Sequence, residues 1–303
     1  MVKKFLDYIE IKTKITSIFA FLFTIAFLFY KEQQIDWMRT AIFFSSMFLF
    51  DLTTTAINNY IDTKSNGQVL QFQRRKALTI IFMLFGISAV LGLYLAYLTD
   101  IVVLMLGGLC FLCGVLYTYG PVPISRQPLG EVLSGIFYGL FIPFLLMYIN
   151  MPKGMFLTFG LSWETISVDF RIIPIVTVLL LSIIPVCTTA NIMLANNICD
   201  VDKDTAVKRY TLPYYLGSKS LYLFAALYYM TYAAVIVMVT FGILSPVCLL
   251  SLLTIVPVQK NINKFMKRQE KATTFMTAIE NYIIIMGTNT VMIFISSIMF
   301  VSL

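Results

Sequence analysis

The chain has no histidine, and only 12% of its 303 residues are charged. The missing imidazole removes the commonest general base and the commonest zinc ligand, and pushes any catalysis toward carboxylates and oxygen-bound metal. A soluble domain carries roughly twice this share of charge. With 59% apolar residues, a water-soluble globular fold is excluded. Cysteine is sparse too: Cys110, Cys113, Cys187, Cys199 and Cys248 mostly fall inside apolar runs. The CxxC of Cys110 and Cys113 therefore reads as two small packing residues rather than a redox or zinc pair. Low-complexity linkers and soluble insertions are also missing, which points to one domain over residues 1–303. The head carries Asp7 and Glu10 and the first apolar run has no small-residue cleavage pattern, so the first helix is expected to stay as an anchor.

Long apolar runs fill the rest. A helix needs about 20 mostly apolar residues to cross a bilayer, because each backbone polar group must find its partner within the segment. Nine segments approach that measure, at about 15–33, 38–58, 77–98, 101–119, 131–150, 172–195, 219–241, 243–259 and 280–302. The expected fold is an all-α membrane protein of nine transmembrane helices, two repeated four-helix halves and a final helix around a central cavity. Cationic loops stay on the cytoplasmic side. With the N-terminus inside, all of the 22 lysines and arginines face the cytoplasm except Lys31, Arg39, Lys153 and Arg171. Trp37 and Trp163 then lie in outer loops, where an aromatic belt places them. The expected location is the cell membrane. Basic loops against anionic lipid account for the +7 charge without nucleic acid, and no obligate protein partner is evident.

One pattern recurs. NNYIDTKSN, from Asn58 to Asn66, returns as NNICDVDKD, from Asn196 to Asp204, 138 positions later, and each copy sits where an apolar run meets a charged loop. An amide, a carboxylate and a third oxygen-bearing side chain stand at i, i+4 and i+8: Asn58, Asp62 and Asn66, then Asn196, Asp200 and Asp204. On a helix that spacing stacks all three on one face. The offset is about four helices with their loops, so the copies mark equivalent helices of two halves and suggest one shared site at the cytoplasmic side.

Carboxylates crowded into a cleft repel one another unless a cation holds them. An oxygen-only donor set points to Mg2+, which takes one or two carboxylates, several waters and substrate phosphates. Lys208 and Arg209 follow the second cluster, and Arg74, Arg75 and Lys76 follow the first; such cations clamp an anionic phosphate. Helix capping and orientation signals are the plain alternative for either cluster alone. An ion-coupled transporter is the rival from another class, although a carrier's site belongs near the midplane, in helices broken by Gly or Pro.

The two clusters resemble the aspartate-rich motifs of the UbiA superfamily of intramembrane aromatic prenyltransferases, NDxxDxxxD and, in the naphthoate branch, NNxRDxxxD. Arg209, Thr211, Leu212, Leu216 and Gly217 are similar to the basic-x-T-L-x-x-x-L-G tail that follows the second motif, and YTYGPVPISRQPLGE, from Tyr117 to Glu131, resembles the YTxGPxP…GE loop of the dihydroxynaphthoate branch. The resemblance spans essentially the whole chain. It implies nine helices and transfer of a polyprenyl group from an allylic diphosphate to 1,4-dihydroxy-2-naphthoate with loss of carbon dioxide, giving a demethylmenaquinone. Another aromatic acceptor, such as a hydroxybenzoate or haem, is the alternative within the family, and a member that binds without turnover is another reading.

Carried over by residue, the resemblance makes Asn58, Asp62 and Asn66 the first metal and diphosphate site and Asp200 and Asp204 the second. Asn59, Asn196, Asn197, Lys203, Lys208 and Arg209 become substrate contacts, Arg126 a partner for the naphthoate carboxylate and Tyr117 a contact for cation or ring. Tyr117 also suits an interfacial anchor, Lys203 a solvated charge and Glu131 a helix N-terminal charge. Three positions depart from the pattern: Asn59 replaces Asp, Asn66 ends the first motif, and Cys199 stands where the naphthoate branch has Arg. The first site has lost negative charge, so weaker Mg2+ binding is expected there. Asp51 lies on the same helical face as Asn58 and Asp62 and either extends the polar cleft or pairs with a neighbouring helix.

Overall fold

The computed structural model describes residues 2–64, 69–120 and 123–301. It is helical apart from one two-stranded ribbon. Among the described residues seven helices are long and apolar enough to span a membrane: 11–30, 37–62, 74–98, 130–150, 172–206, 219–240 and 276–299. Two of the nine expected spans differ. The helix at Ile101–Leu116 has 16 residues, or about 24 Å at 1.5 Å per residue, short of a hydrocarbon core of about 30 Å. The stretch expected at 243–259 enters a 3-10 helix, Pro246–Thr254, and then an amphipathic α-helix. Pro246 and Pro257 interrupt a regular ladder there. Exposed Lys260, Lys264 and Lys267 alternate with buried Val258, Ile262 and Phe265.

The chain divides into two compact units. The first joins Met1–Ile18 to Asp36–Arg126. It holds α1 (Val2–Tyr8), the start of α2 (Ile15–Tyr30), α3 (Trp37–Asp62), α4 (Arg74–Leu98) and α5 (Ile101–Leu116). Asp36 and Asp100 cap α3 and α5, accepting from Arg39 N and Val102 N at 3.0 and 2.9 Å, which supplies partners for helix-end donors. Ser46 and Ser88 donate to each other's carbonyl oxygens at 2.8 Å, drawing α3 and α4 together. Tyr8, Leu52, Ala56, Ala77 and Ile81 form the core under α1.

Asp51 belongs to that unit and pairs with a neighbouring segment. Its Oδ1 accepts from Lys14 Nζ at 2.7 Å and its Oδ2 from Ser17 Oγ at 2.8 Å. Lys14 also reaches the Asp51 carbonyl at 3.0 Å and Thr55 Oγ1 at 2.5 Å. All three ammonium donors are used, as burial of both ions demands. The pair therefore fastens the start of α2 to α3.

The second unit joins Phe19–Ile35 to Gln127–Leu303. It contains the rest of α2, then α6 (Gly130–Ile136), a π-helical turn (Phe137–Phe141), α7 (Ile142–Asn150), strands β1 (Leu157–Leu161) and β2 (Ile166–Phe170), α8 (Ile172–Ala206), α9 (Leu212–Leu216), α10 (Lys219–Thr240), the 3-10 stretch, α11 (Ile255–Lys267) and α12 (Met276–Val301). Small residues let backbones touch where lipid gives helices no hydrophobic reason to associate. Gly135 and Gly139, spaced as GxxxG, lie against α8 at its internal proline: a Cβ on Gly139 would stand 2.2 Å from Val186 N. The 35 residues of α8 extend about 52 Å, well beyond the hydrocarbon thickness. Its final turns, with Asn196, Asp200 and Asp204, are the part that the excess length carries toward water.

The candidate active site

In the first unit Asn58, Asn59 and Asp62 occupy the last turns of α3, which ends at Asp62 with Thr63 N donating to Asn59 O. Two of the three expected residues, Asn58 and Asp62, lie on this helix, and Asn66 lies outside the described residues. The two asparagines point different ways. Asn58 Oδ1 accepts from the hydroxyl of buried Thr118. Asn59 Nδ2 donates to Tyr8 O at 2.8 Å, tying α3 to the end of α1. An ionised aspartate has no hydrogen to give that carbonyl, so asparagine suits this position, where the resembling motif has Asp.

The neighbouring cations are arranged around α3 itself. Arg74 donates to Tyr60 O at 3.0 Å and Thr63 O at 3.3 Å, satisfying carbonyls that a helix end leaves open. Lys64 and Arg74 both lie over the Tyr60 ring, at 5.1 and 5.3 Å from its centre. Tyr117 caps α5, half-buried, and its carbonyl accepts from Ser125 N at 2.8 Å. Arg126 is exposed. Thr118 was absent from the expected set; it is the next letter of the loop motif, and only three-dimensional placement brings it to Asn58.

In the second unit the i, i+4, i+8 face is realised in full, because Asn196, Asp200 and Asp204 all belong to α8. Lys271, from the loop before α12, sets its ammonium between the first two: Nζ lies 2.6 Å from Asn196 Oδ1 and pairs with Asp200 Oδ2. Lys203 approaches Asp200 Oδ1 only to 3.9 Å and is 80% exposed at its side chain. The solvated role fits it better. Asp202 faces outward, off the stack.

Past Ala206 the chain turns back sharply. Lys208 takes the left-handed region, φ 58°, and Arg209 N donates to Asp204 O at 2.8 Å. This hook brings Arg209 Nε to 3.8 Å from Asp204 Oδ2, while Lys208 itself projects into solvent. Asn197 is turned inward and buried; its Nδ2 donates to Glu131 Oε1 at 2.8 Å. Glu131, only 3% exposed, is thus more than a terminal charge on α6. Its Oε2 and Asn197 Oδ1 have no hydrogen-bond partner among the described residues.

The donor chemistry suits a hard cation. Asn196 Oδ1 and Asp200 Oδ2 converge on one ammonium, and oxygen ligands of this kind are those that Mg2+ takes while keeping most of its waters. No group of three or more Cys, Asp or Glu side chains gathers at ligating range among the described residues. All five cysteines are free thiols.

The chain is similar to known proteins over most of its length. A curated relative, the 1,4-dihydroxy-2-naphthoate octaprenyltransferase of Bacillus subtilis (strain 168), is 26% identical over 219 residues, which make up 68% of this chain and 64% of the relative. The match thus spans less than two thirds of that relative's length. Three solved structures share the fold. One, from work on digeranylgeranylglyceryl phosphate synthase in membranes, has a TM-score of 0.64 at 17% identity, covering 98% of this chain and 99% of that one. A UbiA homologue from Aeropyrum pernix K1 gives 0.63 at 16% identity over 95% and 98%. A UbiA homologue from Archaeoglobus fulgidus bound to DMAPP and Mg2+ gives 0.57 at 12% over 96% and 99%. The UbiA prenyltransferase family matches residues 19–280, most of the chain, and on that match the chain belongs to this family.

Proposed function

We propose that the protein moves a polyprenyl group from an allylic polyprenyl diphosphate to 1,4-dihydroxy-2-naphthoate, with loss of carbon dioxide and diphosphate, giving the quinol form of a demethylmenaquinone. The observation that carries the diphosphate half of this reading is the convergence of Asn196 and Asp200 on a cation at the end of α8, next to the hook that holds Arg209. The naphthoate half rests on the Tyr117–Glu131 loop motif and on the Bacillus relative. In this reading Asn196, Asp200 and Asp204 hold one Mg2+ and Asn58, Asp62 and Asn66 hold another. When bound, the metal supplies positive charge to the diphosphate as its bond to the prenyl carbon lengthens.

The chain's own groups do the rest. Arg209, held by Asp204, donates to the departing diphosphate in a geometry that suits planar recognition. Lys208 and Lys203 contribute mobile charge from solvent. Arg126 receives the naphthoate carboxylate, and Tyr117 offers a ring face to developing positive charge. Asn59 and Asn197, expected among the substrate contacts, act instead as helix fastenings. The clusters open to the cytoplasm in the plasma membrane, with the lipid bilayer around the helices. Incubating membranes that contain the protein with dihydroxynaphthoate, a polyprenyl diphosphate and Mg2+ yields a product with the mass of a demethylmenaquinol, or of the demethylmenaquinone once air has oxidised it. Turnover only with another aromatic acceptor overturns the naphthoate assignment and leaves the prenyl transfer standing.

A further inference from the structure

Residues 151–171, between α7 and α8, form an amphipathic ribbon with no counterpart in an all-helical reading. β1 and β2 pair antiparallel, Leu157 opposite Phe170, Thr158 opposite Asp169, Phe159 opposite Val168 and Gly160 opposite Ser167. Successive strand residues face opposite sides. One side therefore carries Leu157, Phe159, Val168, Phe170 and Ile166, and the other carries Thr158, Asp169, Gly160 and Ser167. Ser162 closes the tip, its N donating to Thr165 O at 2.9 Å, and Trp163 stands on that turn fully exposed. The base is firm: Arg171 N donates to Phe156 O at 2.8 Å, and buried Phe156 packs on Phe144 and Tyr148 of α7, ring centres 5.5 and 6.4 Å apart.

On the apolar side Leu157 and Phe159 of β1 are half-buried, and the residues of β2 form the open part. Ile166 is 71% and Phe170 62% exposed, and Val168 is exposed as well. A patch of this kind marks an interaction surface. Its surroundings indicate the occupant. Both ends of the ribbon run straight into membrane-spanning helices, and the exposed apolar row continues along α8 through Ile172, Ile173, Val176 and Leu179, a surface that faces lipid tails. Exposed Lys153 and Arg171 flank the base at the level where phosphate headgroups lie, while Glu164 and Asp169 keep to the tip and the polar side.

We propose that this ribbon lies flat in the lipid headgroup–acyl boundary at the end of α8 opposite Asp200, apolar side down, with Trp163 as its interfacial anchor. It serves as a surface brace that fixes the α7 and α8 ends at the bilayer surface remote from the chemistry. The chain has just two tryptophans, so Trp37→Phe leaves Trp163 as a single reporter.

The test uses the full-length Trp37→Phe protein in phosphatidylcholine vesicles. Emission is measured with lipids brominated near the headgroup end of the acyl chain and, separately, with aqueous acrylamide. Expected is a blue-shifted emission that loses most of its intensity to bromolipid and little to acrylamide. Adding Val168→Asp, on the apolar side, reverses that preference, whereas Ser167→Asp on the polar side leaves it unchanged. Quenching by acrylamide but not by bromolipid overturns the proposal. So does shielding from both, which marks a protein, such as a second copy, as the cover. The same response from both aspartate variants also overturns it, because a lipid-docked ribbon must distinguish its two sides.

Discussion

Removing Lys271 isolates the cation that the second cluster already holds. Its ammonium lies 2.6 Å from Asn196 Oδ1 and pairs with Asp200 Oδ2, so a divalent ion entering between those oxygens must displace it. The lysine side chain is 46% and that of Asp200 16% exposed. Solvent screening therefore limits the pair to the exposed range, at its upper end about 1 kcal/mol. In Lys271→Ala that competition is gone, and Mg2+ binds about fivefold tighter, the factor to which about 1 kcal/mol corresponds. Titration calorimetry of Mg2+ into protein reconstituted in lipid nanodiscs reads this directly, without turnover. The freed ammonium of the wild type is well placed to meet diphosphate once metal arrives, so the same variant raises KM for the prenyl diphosphate. Metal affinity and diphosphate affinity thus move in opposite directions. Metal binding that is unchanged or weaker in the variant refutes the reasoning, because Lys271 would then be support rather than competitor.

Four further outcomes follow from local geometry. Asn59→Asp restores the family's residue but loses the donor to Tyr8 O; unfolding in detergent then shows a loss of about 1–3 kcal/mol, and an undiminished melting temperature would refute the fastening role. Breaking the buried Lys14–Asp51 pair on one side, as in Lys14→Met, costs about 3–5 kcal/mol, while Lys14→Met with Asp51→Leu recovers much of it; equal losses in single and double variants would contradict an ion pair there. Gly139→Ala forces a methyl group onto Val186 N and destabilises by about 1–3 kcal/mol or prevents folding, checked by thermal unfolding of the purified protein. Asp200→Ala costs more Mg2+ affinity than Asp62→Ala, measured by calorimetry, since the first cluster carries less negative charge; equal losses would remove that distinction.

Much of this was legible in the letters. Apolar run length marked the long helices, and the doubled NN…D pattern marked the ends of α3 and α8. The rest has two kinds of cause. The ribbon is written locally: Leu157–Leu161 and Ile166–Phe170 alternate with period two around a short polar turn, which is a strand pattern. The prolines at 246 and 257 likewise announced that the stretch at 243–259 was no plain helix. Other features are set by long-range placement. Asp51 is 37 residues from Lys14 and Lys271 is 71 residues from Asp200. No periodicity links such residues.

The doubled asparagine shows why the repeat kept some letters and released others. In each copy the first asparagine sits on the polar face with its Oδ1 accepting a hydrogen, from Thr118 in one and from Lys271 in the other. The second asparagine, about 100° further round the helix, turns away and donates through Nδ2 at 2.8 Å, to Tyr8 O in the first unit and to Glu131 Oε1 in the second. A carboxylate suits the first position, where the partner is a donor, the Thr118 hydroxyl in one copy and the Lys271 ammonium in the other. It fails at the second, where the partner is itself an oxygen acceptor. In both units the second asparagine thus fastens its helix to a neighbouring segment, and the proposed ligand set is the one that begins with the first asparagine and continues one turn later at Asp62 or Asp200.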